Sequence, residues 1–550
     1  MTRPASSSLT TRFKSAVLKP AVVKPAVLKP AAAGLLVLVT AACGSSSGTA
    51  TAGPSASVSS PTDKVLHLSF LQDPGQPPDP DIYYAGQGLI LTTNMYEGLL
   101  TYAPGTPTPT LAPSLAQSWT VSPDKKSYTF KLRQGVTFHD GTPFTSAAVK
   151  PSFDRRAAVN QGPAYMVSDI ASVTPNGDYE VTVTLKNPTT IFLDYLAAAY
   201  GPKMFSPTGL TANAGSDHDQ TYLQTHDLGT GPYTLTDARV GSHYAMKSYD
   251  KYWGAKPYFT DVDLPVITDS SSQQLQFGKG QLAAILHDLP STAVVSYLAN
   301  KKYASYNLPS MQSDYLYVNP GTTFGKDKAN RLALLQAIDR DAVLKQAYAG
   351  RGQKAVSTYP ANMVSSGNSS QGIDYKPDVL KGLAGSLPAD AKTITIGFDS
   401  GQSDNQLVAN LIAAQVSALG LTAKVQGYTT SQIFGWIGDP KGAPDALATL
   451  GWPDAAPAYT WSHISFDPGA GLNYLHCSDP AITALVAQGL QTGDPATFAK
   501  VGVLAAGTGC WLNLVDEQDF MVAQPWLKGV EQAHIVAEPN TLRIAALSVG

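Results

Sequence analysis

Cysteine is nearly absent: three residues in 550 cannot build a disulfide scaffold or a cysteine-rich zinc site. The nine histidines include no HExxH pair, and no paired-carboxylate motif stands out, so hydrolytic chemistry is only a remote reading of the sequence. Charge is sparse too, at 14% of the chain, and nearly balanced at a formal −3. Nothing in that balance attracts nucleic acid or an anionic membrane surface. Glycine (47) and proline (40) are plentiful, punctuating many turns in a chain long enough for two or more cores.

The first thirty residues carry Arg3, Arg12, Lys14, Lys19, Lys24 and Lys29 and no acid. The apolar run from Ala31 to Val39 is too short to span a bilayer, and the two together have the layout of a secretory signal. Thr40-Ala41-Ala42-Cys43 resembles a bacterial lipobox, so the expectation is a signal peptide over 1–42, acylation of Cys43 and a lipid anchor on the outer face of the cytoplasmic membrane. Loss of that leader takes the formal charge from −3 to −9. Residues 43–63 are small and polar and read as a flexible tether. Gly44-Ser45-Ser46-Ser47-Gly48 matches GxSxG only by accident, because no strand and helix flank it to present the serine.

Beyond the tether, the stretch from Leu111 to Arg155 organises the chain. Trp119 and Val121, then Tyr128, Phe130 and Leu132, alternate with polar residues around Ser122-Pro123-Asp124, which predicts a hairpin with one buried face. Asp140-Gly141 supplies a turn, Thr145 is placed to cap a helix starting at Ser146, and Pro151 predicts that this helix is short or kinked. His139 beside Asp140 offers proton-transfer chemistry, but adjacent turn residues do not converge on one atom, so no catalytic residue is assigned.

The wording of this stretch, Leu-Arg-Gln-Gly-Val and then Phe-His-Asp-Gly-Thr-Pro-Phe, resembles the family 5 extracytoplasmic solute-binding proteins, the peptide and nickel receptors of ABC importers. Tyr96-Glu97-Gly98-Leu99, Gly229-Thr230-Gly231-Pro232-Tyr233, Tyr252-Trp253-Gly254 and Ala337-Ile338-Asp339-Arg340 extend the resemblance over nearly the whole chain after residue 64. It implies an α/β fold: a two-lobed periplasmic-binding-protein clamshell, type II-like, with an extra subdomain in the first lobe. Lobe I is expected over 64–95, 216–314 and 519–550, the subdomain over 96–215 and lobe II over 315–518. Within lobe II, Asn330 is expected to cap a helix carrying Leu334, Leu335 and Ile338. Thr393 to Phe398, a helix capped by Asp404, and Leu421 to Val425 form a βαβ unit with a right-handed crossover.

The resemblance implies a monomeric receptor that needs no cofactor or metal, binds a small solute between its lobes and delivers it to permease subunits. A peptide is the foremost solute, and a sugar or metal chelate is the alternative. More remote alternatives are an extracellular hydrolase and a structural surface lipoprotein. In peptide-binding relatives an aspartate after a Gly-Trp pair meets the ligand's α-ammonium group, which points to Asp454 with Trp452 beside it. The other reading is a Pro453-Asp454 turn and a core Trp452. Trp461, Asn473, Tyr83 and Asn94 are further candidates for the same cleft. Cys477 and Cys510 either pair in an oxidising exterior or remain buried thiols.

Overall fold

The computed structural model describes residues 60–550 apart from 288, 362, 365–371, 403 and 539; the leader, Cys43 and the tether to residue 59 lie outside the described residues. No helix among the described residues is long and apolar enough to cross a membrane.

The chain forms an α/β fold in two lobes. In the first, Val65–His67 pairs in parallel with Asp261–Pro265, and His243–Ser248 and Tyr233–Arg239 complete an antiparallel meander. A second small sheet sets Asp519–Ala523 between Ala284–Ile285 and Ala304–Leu308. The hairpin read from sequence is present as Ala116–Val121 against Ser127–Leu132, extended by Glu180–Leu185 and Ile170–Pro175. Its period-two pattern explains the packing: Tyr128, Phe130, Leu132, Val181, Val183 and Leu185 all point into one core, while Val121 at the strand end stays exposed.

The second lobe is a six-stranded sheet. From one edge to the other its strands are Gln353–Lys354, Trp511–Asp516, Ser313–Val318, Ala446–Gly451, Thr393–Asp399 and Thr422–Tyr428. The βαβ unit is present, with Asn405–Ser417 as its helix and both flanking pairings of Thr393–Asp399 parallel. Helices Pro480–Thr492 and Pro495–Thr508 show how local chemistry sets element ends. Each starts on an aspartate cap followed by proline, Asp479 and Asp494, and each stops at a left-handed glycine, Gly493 and Gly509. Both helices lie inside the loop closed by a disulfide between Cys477 and Cys510, whose Cα atoms are 6.3 Å apart.

Several local expectations are corrected. Thr145 makes no side-chain cap; a 3-10 turn over Ser146–Ala148 leads into an unbroken helix, Val149–Val159. Pro151 is the third residue of that helix, in the first turn where amide hydrogens have no partner anyway, so it neither shortens nor kinks it. Asn330 sits inside its helix, Lys328–Gln336, which Asp327 caps; the Asn330 amide instead donates to the Phe324 carbonyl. A second helix, Arg340–Ala347, starts on Asp339. Asp404 precedes its helix without capping it, because its carboxylate accepts from the Ser291 hydroxyl and amide of the other lobe.

The chain crosses between the lobes from Leu308 to Ser313 and again from Asp516 to Asp519. Asp314 stands at one crossing, fully buried, with Oδ2 accepting from the Tyr348 hydroxyl and Oδ1 without a described partner. Burial, then the neighbouring Asp404 charge, hold its carboxyl well above its ordinary 3.8, against the pull of the Tyr348 bond. The folded state therefore keeps a proton that the unfolded chain gives up. That contribution is complete below the ordinary value and is lost as pH rises toward neutrality. Thermal melts from about pH 4 to about pH 8 should show Asp314→Asn losing less stability with rising pH than the parent protein. Parallel curves would contradict this.

Candidate functional site

The proline-rich loop after the first strand reaches the interlobe cleft because two buried arginines hold it. Arg155 grips Asp79 through both terminal nitrogens, at 2.9 and 2.6 Å, and Asp81 at 2.7 Å. Arg156, fully buried, donates from Nε to Asp81 at 2.8 Å and from its terminal nitrogens to the carbonyls of Pro80 and Tyr200. Planar guanidinium forks suit this job, since each fixes a carboxylate and adjacent carbonyls in one geometry. The anchored loop carries Tyr83 and Tyr84 to one wall of a cavity of about 520 Å³.

The facing wall comes from lobe II, at the carboxyl ends of its parallel strands, where open α/β sheets bind ligands. Asp399 ends one strand, and the loop after Ala446–Gly451 carries Trp452 and Asp454. Gly451 packs tightly there: a Cβ would lie 3.0 Å from the Trp461 ring, which would have to shift to admit it. Asp454 is 4% exposed, and its Oδ2 accepts from the hydroxyls of Tyr84 at 2.6 Å and Tyr165 at 2.7 Å. Its Oδ1 receives no hydrogen bond from a described residue. Burial pushes the Asp454 carboxyl up, and the Tyr165 and Tyr84 bonds and nearby His463 pull it back. Trp452 is half-buried and donates from Nε1 to the Tyr200 hydroxyl at 3.1 Å.

Of the six ligand candidates, the structure brings Asp454, Trp452 and Tyr83 together on this cavity. The Tyr83 hydroxyl accepts from the Gly88 amide. The other three lie elsewhere. Trp461 stacks on Tyr315 in the lobe II core and donates to the Thr358 carbonyl. Asn473 clamps its own loop, bonding the Asp467 and Cys477 carbonyls and the Cys477 amide. Asn94 ties its helix to the C-terminal segment through the Leu542 carbonyl and the Ile544 amide. Each is a buried polar group consumed by a structural bond.

Sequence reasoning missed Tyr84, Tyr165, Tyr200, Tyr474 and Asp399. Asp399 was available from the rule that strand ends bind, since it closes the first strand of the βαβ unit. The tyrosines come from four separate segments, and nothing local marks them. His139 is buried against Asp227 and also bonds the Gly231 carbonyl at 2.9 Å, so it pins the turn region rather than facing the cleft. Among the described residues no group of three or more His, Cys, Asp or Glu is arranged to hold a metal.

Residues 110–473 match the model of the bacterial extracellular solute-binding proteins, family 5. The chain belongs to that family. The family 5 chain is 26% identical over 396 residues to the dipeptide-binding protein of Escherichia coli (strain K12), covering 65% of this chain and 72% of that one. Its fold is that of a dipeptide-binding protein from Pseudoalteromonas sp. SM9913 in complex with Met-Leu, with TM-score 0.79 at 17% identity over 88% of this chain and 100% of that one. It is equally that of NikA from Brucella suis in complex with Fe(III)-EDTA, with TM-score 0.74 at 22% identity over 88% and 100%. The one scaffold therefore holds quite different solutes, and the family 5 chain is an extracytoplasmic solute-binding protein whose choice rests on its own cleft.

Proposed function

We propose that this protein captures a small amine-bearing solute, foremost a peptide, in the interlobe cleft and delivers it to the permease of an ABC importer. The observation that carries this reading is Asp454: a buried carboxylate lining the cavity, which among the described residues has one oxygen without a donor and no cation on the other. A desolvated carboxylate gives an incoming ammonium a charge-assisted bond, and Trp452 offers an indole face beside it. The 17–28% identities to peptide and chelate binders support the receptor reading and leave the solute to the cleft. Protein purified without exposure to denaturant should release a bound small molecule on unfolding, detectable by mass spectrometry. A preparation that is folded, occupied at no site and indifferent to cell extract would contradict the proposal.

The receptor acts as a monomer held to the membrane by acylated Cys43, whose preceding small residues and following polar tract fit that processing. Cys43→Ser should abolish palmitate labelling and release the protein from the membrane fraction. Labelling that persists in this variant would remove the anchor from the account.

A further inference from the structure

Among the described residues the cleft is lined by carboxylates and by no cationic side chain. Asp73, Asp399 and Asp454 line it, and no Lys, Arg or His does among the described residues. None of residues 288, 362, 365–371, 403 and 539 is basic either. Among the described residues the carboxylates are met by neutral donors: Asp73 by the Gly75 and Gly241 amides and the Tyr244 hydroxyl, Asp399 by the Gly401 amide and Thr430 hydroxyl, Asp454 by two tyrosines. His463, which acts on Asp454 at a distance, lies outside the lining and is engaged by Asp467 at 2.8 Å. Asp399 and Asp454 are each 4% exposed, and both bear on one ring, raising the Tyr474 hydroxyl after burial and Tyr317 have done so.

A zwitterionic solute would bring its carboxylate into this cavity with no cationic side chain to receive it, an uncompensated buried charge beside three others. A solute with two positive centres meets the opposite situation. Asp454 and Asp399 can each neutralise one centre, and Trp452, Phe434 and Tyr474 line the same cavity with aromatic surface. We propose that the cleft is built for an organic dication, a solute with two amine or guanidine centres and no free carboxylate, which among peptides admits only those whose carboxyl terminus is capped.

Asp454 belongs to lobe II, and its donors Tyr84 and Tyr165 come from the other side of the cleft, so the closed form desolvates the carboxylate. Without a cation, closing buries unbalanced charge; with one, the penalty is removed.

This inference rests on the receptor reading and is tested apart from it. Titration calorimetry of the purified, ligand-stripped protein would use lysine, lysinamide and 1,5-diaminopentane, which share two amines and differ in the carboxylate. Lys-Ala and its amide form a peptide arm that separates a capped peptide from a free diamine as the source. Each carboxylate-free probe should bind at least about tenfold tighter than its acid counterpart. Asp399→Asn should weaken 1,5-diaminopentane by about tenfold or more and change 1-aminopentane little. Lysine or Lys-Ala binding as tightly as its carboxylate-free partner overturns the inference and leaves the receptor reading standing. Failure of every cationic probe to bind overturns it too, while a solute released on unfolding still supports the receptor.

Discussion

Asp454→Asn is expected to weaken an amine-bearing ligand by about 2–5 kcal/mol while leaving the empty protein as stable as before, or slightly more so. The two halves of this result have separate causes. Ligand affinity falls because the buried ammonium loses its charged partner, and a neutral amide oxygen returns only part of that bond. Stability does not fall because burying this carboxyl already costs the empty protein, burial raising it from its ordinary 3.8 by more than the Tyr165 and Tyr84 bonds and His463 pull it back. The asparagine oxygen still accepts from Tyr84 and Tyr165, so the packing of the loop survives. Calorimetric titration and thermal melts of both forms check the pair. Equal affinity would remove Asp454 from the site; a collapse in melting temperature would make it a structural residue.

Arg156→Ala should have the larger effect on the fold, about 3–5 kcal/mol, because it takes one of two guanidinium partners from buried Asp81, leaving only Arg155, and strips four carbonyls of a donor in a dry interior. It should also impair solute binding without touching the solute, since the loop it holds carries Tyr83 and Tyr84 into the cleft. Removing the half-paired carboxylate as well, in Arg156→Ala with Asp81→Ala, should recover part of the stability but not the binding. Denaturant titrations of the single and double variants, with ligand affinity measured on each, test this. Additive losses would show that the two residues do not act as a unit.

The fold was legible in sequence where a pattern was local. Alternation at Tyr128, Phe130 and Leu132 predicts the hairpin's buried face, and the Thr393 to Val425 stretch predicts the crossover, because period and turn chemistry lie within a few residues of each other. Caps were less legible. Asn330 and Asp404 are good capping residue types, yet Asp327 is three positions earlier, and Asp404 is claimed by Ser291 more than a hundred residues away. The site was legible only in part for the same reason. Trp452, Asp454 and Tyr83 carry local marks, whereas Trp461, Asn473 and Asn94 have equally suitable chemistry that internal bonds consume. Tyr165 reaches Asp454 from 289 positions away, and no window of the sequence shows that. The Arg155-Arg156 pair reads as an ordinary charged helix end until the loop it grips is in place.

The measurement that bears most directly on the central claim, a hinged receptor that closes on its solute, is small-angle X-ray scattering of the ligand-stripped protein with and without the solute recovered from it. Two lobes joined by the crossings at 308–313 and 516–519 should swing together, so the radius of gyration should fall on saturation, at unchanged molecular mass. Superimposable scattering curves, at a solute concentration that calorimetry shows to be saturating, would contradict the account.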